Sequence, residues 1–386
     1  MKILILDQFS EPGGAQLCLR DLSPEIARRG WQATFMAPGD GGIRVALESS
    51  GLRNEQLPGL VYTNGRKTFL DVIRYGMDIP SAILSILRFV KEYRPDLVYI
   101  NGPRVLPAGI ALPCPVVFHS HSLLDKQYSR LMAATCLRIK RAQVIAASRF
   151  AARSLERLVK AGSMRVIYSG VPDLGFTASR RRGDRTRIGI VGRIAPEKGQ
   201  LDFVHAARWL SGPKRQIEFV VHGSSMFSAA GYEQRVRAEA SGLAVDFPGW
   251  TQNVASALHN IDILAVPSSA IEAAGRVVME ALSAGTPVVA YPSGGIPELI
   301  CDGRTGLLTE HSTPASLAQS IDKLLADPTL ALRLAEQGRK EWESRFRVER
   351  FQRQVCDFLE AIVYRQRRER REIESAVAIA GENDLA

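Results

Sequence analysis

Residues 266–298, VPSSAIEAAGRVVMEALSAGTPVVAYPSGGIPE, carry the pattern that decides the fold. An apolar run from Ile261 to Pro267 reads as a buried strand, Gly275 to Ala284 as a helix, and Thr286 to Tyr291 as a second strand. Two apolar strands joined through a helix make a parallel crossover, because parallel strands need a long connection and a helix supplies it. Glu272 lies in the loop after the first strand and Glu280 on the helix, with seven residues between them. The first acid can therefore face the crevice at the carboxyl end of the sheet, where the helix's leading amides address an anion. The second reaches a vicinal diol such as a ribose. The plain alternative makes Glu272 a helix cap and Glu280 a surface residue.

The same alternation extends in both directions. Arg187 to Gly192 and Glu218 to His222 read as strands around a helix from Gly199 to Leu210. In the first half the strands are Lys2 to Leu6, Gln32 to Ala37, Leu97 to Asn101, Val116 to His119 and Gln143 to Ala147, with helices at Ala15 to Arg29 and Ser81 to Tyr93. The expected fold is α/β, with two doubly wound Rossmann-like domains, 1–170 and 171–347, facing each other across a cleft. Their boundary is placed near Ser169 to Asp184, where Gly, Pro and the run RRRGDR at 180–185 replace periodicity. A last helix, Val348 to Tyr364, and the charged extension RQRRERREIE, helical or frayed, make up residues 348–386.

With 386 residues, 46% hydrophobic and 23% charged, the composition is that of a folded globular chain and excludes disorder as the main theme. No apolar run reaches the roughly 18 residues of a membrane span, and MKILILDQF lacks a small-residue cleavage site. A cytoplasmic location is expected. Cys18, Cys114, Cys136, Cys301 and Cys356 stand far apart without a C-x-x-C pair, so they read as buried or semi-buried thiols rather than a disulfide framework or a zinc site. The formal charge of +10 arises within the first 170 residues, which hold 23 basic and 13 acidic side chains. Arg138, Lys140, Arg141, Arg149, Arg153, Arg157, Lys160 and Arg165 fall in one 28-residue stretch with a single acid, Glu156. That stretch is either a solvated face or a surface for an anionic membrane or acceptor. No recognition motif for nucleic acid accompanies it.

Two further motifs sit at strand-to-helix turns. Gly13 and Gly14, in SEPGGAQ, allow close approach of a phosphate or sugar to the backbone at a helix start. The segment is neither G-x-G-x-x-G nor a Walker loop. Arg193 and Lys198, in GRIAPEKG, place two cations five apart at a strand's carboxyl end, which suits an oligophosphate.

Together, GGAQ, GRIAPEKG, the Glu-seven-Glu spacing and AGTPVVAYPSGGIPELICDGRTG resemble the retaining glycosyltransferases of family 4, with the two-domain GT-B architecture. The resemblance implies that Gly13 and Gly14 lie against the donor's diphosphate and sugar, and that Arg193 and Lys198 neutralise the diphosphate. It implies contact of Glu272 with the transferred sugar and main-chain amides from Gly275, Arg276 and Val277. It places Glu280 on the ribose and the last helix back on the first domain. A family histidine at the end of a first-domain strand corresponds to His119 or His121, which point the same way on an extended segment; His121, at the loop end, is preferred. Ala273 and Ala274 replace the aromatic and glycine of many relatives, which leaves more room around the sugar. The implied activity is retaining transfer of a sugar from a UDP- or GDP-sugar to a glycan, lipid-linked or small-molecule acceptor in bacterial cell-surface polysaccharide or glycolipid biosynthesis. A GT-B nucleotide-sugar epimerase and a non-catalytic nucleotide-sugar-binding protein are the alternatives. The sequence contains no Asp-x-Asp, so no metal and no cofactor beyond the nucleotide-sugar co-substrate is expected. The basic first domain, with the amphipathic stretch Ile79 to Arg94, suggests peripheral contact with an anionic membrane at its inner face; a core-facing helix is the plainer reading of that stretch.

Overall fold

The computed structural model describes residues 1–59, 69–177, 185–212, 216–225, 231–251, 253–268 and 272–383. Of the boundary segment, residues 178–184 lie outside the described residues. The first half contains β1 (Lys2–Leu6), β2 (Gln32–Ala37), β3 (Arg53–Gln56), β4 (Leu97–Ile100), β5 (Val116–Ser120), β6 (Gln143–Ala146) and β7 (Met164–Val166). They form one sheet in the order β3-β2-β1-β4-β5-β6-β7, parallel throughout. The second half contains β8 (Thr186–Val191), β9 (Ile217–His222), β10 (Val245–Gly249), β11 (Ile263–Val266), β12 (Val288–Ala290) and β13 (Leu307–Leu308). Their order is β10-β9-β8-β11-β12-β13, again parallel. Each sheet reverses its winding direction once, between β1 and β4 in the first and between β8 and β11 in the second, and such switch points are where open α/β sheets bind ligands.

The helices of the first half are α1 (Gly14–Arg28), α2 (Ile43–Glu48), α3 (Phe69–Tyr93), α4 (Gln127–Lys140) and α5 (Arg149–Ala152). Those of the second are α6 (Gln200–Leu210), α7 (Tyr232–Glu239), α8 (Val254–His259), α9 (Arg276–Ala284), α10 (Pro314–Ala326), α11 (Pro328–Glu341) and α12 (Val348–Asn383). The expected strands appear within one or two residues of their positions. The short strands β3, β7, β10 and β13 were not expected, and all four are the edge strands of their sheets. Two of them, RNEQ and VDFPG, lack the apolar runs that mark buried strands.

Helix α3 begins well before Ser81 and runs through Pro80. Tyr75 and Ile79 before the proline and Ile83 after it pack on the first-half core. Their burial outweighs the roughly 3 kcal/mol that a helix-interior proline costs. Ala82, Ile86 and Val90 are fully buried, so the apolar side of Ile79 to Arg94 faces the core while Leu84 stays exposed. Cys18, Cys114, Cys136 and Cys356 are buried free thiols, whereas Cys301 is exposed in the turn before β13, a correction to the expectation of burial.

The charged extension after Tyr364 continues α12 as helix, with Arg368–Glu372 and Arg370–Glu374 pairs along its surface. The first turns of α12 return to the first half, where Phe351, Val355, Cys356, Leu359 and Val363 join the core beside Cys18, Leu19, Leu22 and Ile26 of α1. The chain thus passes between the halves twice, and the passages are pinned to each other. Val171 N donates to Phe346 O at 2.9 Å, Val348 N to Val171 O at 3.1 Å, and Trp342 Nε1 to Val171 O at 3.2 Å.

Candidate functional site

In the second half, the loops leaving β8 and β11 stand side by side at the switch point. The loop after β8 carries Arg193 and Lys198 and the loop after β11 carries Glu272, and the two loops meet in an ion pair between Lys198 Nζ and Glu272 Oε2. Arg193 pairs with Glu197 and adds to the positive field at Glu272. The Glu272 side chain is 15% exposed. Burial works against its charge, but Lys198 overrides burial and holds the carboxyl below its usual range, with the Gly275 amide and Arg193 assisting. Its Oε1 accepts from Gly275 N at 3.2 Å, at the start of α9. Both readings of Glu272 therefore apply together: it caps the helix and it lies at the crevice.

Backbone geometry keeps this loop in place. Gly294, at φ +58, sits under it so closely that an added Cβ would collide with Glu272 O, and Gly295 N donates to the same oxygen at 2.8 Å. On the other side Gly199, at φ +76, lies against Pro267 O with no room for a side chain. The glycines of PSGG and APEKG thus bring the two loops into register.

Helix α9 brings Arg276 and Glu280 together. Arg276 Nε donates to Glu280 Oε1 at 2.8 Å, while Nη2 lies 2.7 Å from Asp21 Oδ2 on α1 of the first half. All three side chains are nearly buried, at 7 to 11% exposure. Burial lifts the Glu280 carboxyl above its usual range, and Arg276 pulls in the opposite direction. The sequence suggested a role only for the main chain of Arg276; its side chain instead spans the two halves. Val277, also expected to offer an amide, follows it in the first turn of α9 and packs on the second-half core. A second link lies at Glu298, at the end of PSGGIPE. Its carboxylate accepts from Arg149 N at 2.8 Å, Phe150 N at 2.7 Å and Tyr168 Oη at 2.8 Å, capping α5 of the first half.

In the first half, Gly13 is the extended N-cap of α1 and Gly14 its first residue. A Cβ added at Gly14 would meet no atom within 4 Å, so open space lies in front of this turn. Beneath it, at the switch point of the sheet, the expected His121 meets two buried polar side chains that the sequence reading missed, Asp7 and Asn101. Asp7 follows β1 and is fully buried; Asn101 follows β4; His121 follows β5. Asp7 accepts from Gln16 Nε2 at 2.9 Å, Phe9 N at 3.0 Å and Asn101 Nδ2 at 2.6 Å, and Asn101 Oδ1 faces His121 Nε2 at 2.7 Å. Burial pushes the Asp7 carboxyl up to about 7, with Asn101, Phe9 and Gln16 opposing the rise. Burial also takes His121 down to about 3, so its ring is neutral. The signal was available in principle: Asp7 and Asn101 directly follow the two strands that flank the switch point. His119 is fully buried, hydrogen-bonded through Nδ1 to Tyr99 Oη and stacked on His121 at 3.8 Å between ring centroids.

Thus Arg193, Lys198, Glu272 and the start of α9 converge on one crevice. Glu280 adjoins it through Arg276. Gly13, Gly14 and His121 lie together at the switch point of the first sheet. Among the described residues no helix is long and apolar enough to cross a membrane.

Comparison with known proteins agrees with this arrangement. Residues 12–173 match the model for Glycosyltransferase Family 4, and residues 176–341 match that for glycosyl transferases group 1. A D-inositol 3-phosphate glycosyltransferase from Corynebacterium efficiens is 34% identical over 157 residues, 39% of this chain and 37% of that protein. The chain thus aligns with well under half of that relative's length. A 2-deoxystreptamine N-acetyl-D-glucosaminyltransferase from Streptomyces fradiae is 28% identical over 83% of this chain and 84% of its own length. Among solved structures, Anabaena Alr3699/HepE in complex with UDP-glucose superposes with a TM-score of 0.80 at 27% identity, over 94% of this chain and all of the other. With both halves of the chain matched in order and the two switch-point crevices in place, the protein belongs to the family 4 glycosyltransferases of GT-B architecture.

Proposed function

We propose that the chain transfers a hexose from a nucleoside-diphosphate sugar to an acceptor, with retention of anomeric configuration and without a metal ion. The observation that carries this reading is the meeting of Lys198 and Glu272, with Arg193 alongside, at the amino end of α9. Breaking the bond to a diphosphate leaving group builds negative charge on the departing oxygens. Fixed cations and helix-end amides then stabilise the transition state more than the ground state. In this reading Lys198 exchanges Glu272 for a phosphate oxygen when donor enters. Glu272, released from Lys198 and from Gly275 N, turns to the sugar. Arg193 leaves Glu197 in the same way, Val277 N adds an amide, Glu280 takes the ribose, and His121 approaches the sugar from the first half. The neighbour that binds UDP-glucose supports a uridine or comparable nucleotide donor.

The acceptor is proposed to be a glycan, a lipid-linked sugar or a small molecule of bacterial cell-surface polysaccharide or glycolipid biosynthesis; relatives named for lipopolysaccharide and for 2-deoxystreptamine support that range. Contact with an anionic membrane is proposed through the basic first half. There Tyr128, Leu131 and Ile139 are exposed on α4 close in sequence to Arg130, Arg138 and Arg141. Three of the eight basic residues of that stretch have other partners: Lys140 donates to Leu112 O, and Arg153 and Arg165 lie over Phe150 and Phe358.

The test is a thermal-shift panel of UDP- and GDP-sugars followed by product analysis with EDTA present. Stabilisation by one nucleotide family and acceptor-dependent release of the nucleoside diphosphate are expected. Epimerised sugar formed without acceptor overturns the transferase reading, and loss of turnover in EDTA overturns metal independence. Vesicle sedimentation tests the membrane contact, with binding to anionic but not neutral lipid as the expected result.

A further inference from the structure

The buried group beneath the Gly13–Gly14 turn determines which nitrogen of His121 can act. Asp7 is surrounded by hydrogen-bond donors: Phe9 N, Gln16 Nε2 and Asn101 Nδ2. The same Asn101 atom also lies within reach of Ala15 O, a main-chain carbonyl that only accepts whatever the charge of Asp7, so the amide nitrogen of Asn101 is the end that faces Asp7 at 2.6 Å. The carbonyl end, Oδ1, is then turned to His121 Nε2 at 2.7 Å. A carbonyl oxygen also only accepts, so the proton of the neutral imidazole sits on Nε2 and Nδ1 keeps a bare lone pair. Nδ1 has no hydrogen-bond partner among the described residues. The same amide nitrogen of Asn101 lies 3.4 Å from Ala15 O, one residue past Gly14, which places the relay directly under the open turn.

We propose that Asp7 and Asn101 are positioning residues for His121, fixing its Nε2–H tautomer so that Nδ1 accepts a hydrogen bond from a hydroxyl of the transferred sugar. This rests on the transferase reading. It assigns His121 an accepting role toward an uncharged hydroxyl, not donation to the leaving group. His119, stacked on the same ring, is held by Tyr99 and belongs to the core. Gln16 acts at one remove by bonding both oxygens of Asp7, which orients the carboxylate toward Asn101.

The experiment has a spectroscopic arm and a kinetic arm. Long-range proton–nitrogen correlation spectra of the histidine-labelled full chain, with His121 assigned by His121→Gln, are expected to show the Nε2–H tautomer. Asn101→Ala is expected to give a mixture of tautomers, and Asn101→Asp an imidazolium that persists to higher pH. In the kinetic arm, Asn101→Ala lowers kcat roughly 10- to 100-fold with donor KM little changed, the pattern of a lost orienting partner. Donor that lacks the hydroxyl facing His121 abolishes the difference between wild type and variant. An Nδ1–H tautomer in the wild type overturns the proposal even if the variants fold poorly, as does an unchanged tautomer in a folded Asn101→Ala. A wild-type chain that consumes no nucleotide sugar defeats the transferase reading instead, and the spectra still report the tautomer.

Discussion

The two switch points are built alike and chemically opposed. In the second sheet the residues that follow the flanking strands are ions in pairs: Lys198 with Glu272, Arg193 with Glu197. In the first, Asp7, Asn101 and His121 are joined by hydrogen bonds with no cation among the partners named above, and burial drives both titratable members toward their neutral forms. A ligand with a charged end and an uncharged end meets a matching wall on each side. One topology thus serves two chemistries, because the sheet fixes only where side chains converge and the loop residues decide what converges there. Arg276 ties the ionic half to the neutral one through Asp21.

Removing that tie has the largest expected effect. Arg276→Ala leaves Glu280 buried without its counter-charge and Asp21 with only Arg20, and is expected to cost about 3–5 kcal/mol in urea unfolding, the usual penalty for one lost partner of a buried pair. Adding Asp21→Asn to Arg276→Ala returns part of that loss. If the double variant is as unstable as the single one, the bridge is not an energetic link between the halves.

Next comes the chemistry of the ionic wall. Glu272→Gln keeps the shape of the loop and its bond to Gly275 N, yet kcat is expected to fall about 10²- to 10³-fold while nucleoside diphosphate still binds. Lys198→Ala is expected to weaken that binding by about 1.5–3 kcal/mol, the range for a charge-assisted hydrogen bond, and to reduce its salt dependence. Equal loss of binding in both variants would erase the division between a sugar-facing acid and phosphate-facing cations.

The ionic wall was legible in the sequence because its residues come in dense local motifs. Arg193 and Lys198 lie five apart, Glu272 and Glu280 eight apart, each beside a glycine that marks a turn. Of the neutral wall only His121 was. Asp7, Asn101 and His121 are far apart in the chain, and Asp7 and Asn101 each follow an apolar run with no motif around them, so the relation of the three appears only when β1, β4 and β5 are laid side by side. The side-chain reach of Arg276 to Asp21 was hidden for the same reason, since a helix's own sequence does not say what faces it from another domain. Helix α3 shows a different limit: Pro80 is a local stop signal, and only packing of Tyr75 and Ile79 overrides it.

The neutral wall predicts its own pH signature. Folded His121 holds its proton only below about 3, whereas an unfolded histidine holds one to near 6.5, so folding is penalised as pH falls through that window. Asp7 acts in the opposite sense. The folded acid keeps its proton to about 7 and the unfolded acid loses it near 3.8, so its contribution to stability declines as pH rises between those values. Asp7→Asn removes only the second effect. Thermal unfolding from pH 4 to 8 is expected to show the variant gaining on the wild type as pH rises, with the gap level above about 7. A constant gap would mean that Asp7 is ionised throughout and that the first switch point is not neutral.

The smallest effect is expected at Glu298, where the two halves meet by a helix cap instead of a buried ion pair. Its carboxylate receives Arg149 N, Phe150 N and Tyr168 Oη, all from the first half, and its charge complements the positive end of α5. Glu298→Gln keeps one accepting oxygen, for Arg149 N and Tyr168 Oη, but turns its amide nitrogen to Phe150 N and removes the charge, so one hydrogen bond is lost with the dipole term, about 1–2 kcal/mol together. Unlike the Arg276 bridge, Glu298 is joined to a partly exposed surface, and salt is expected to weaken its contribution further. Measured by urea unfolding at low and high salt, the variant is expected to approach the wild type at high salt. A loss as large as that of Arg276→Ala would place the main electrostatic link between the halves at α5 and move it away from α1.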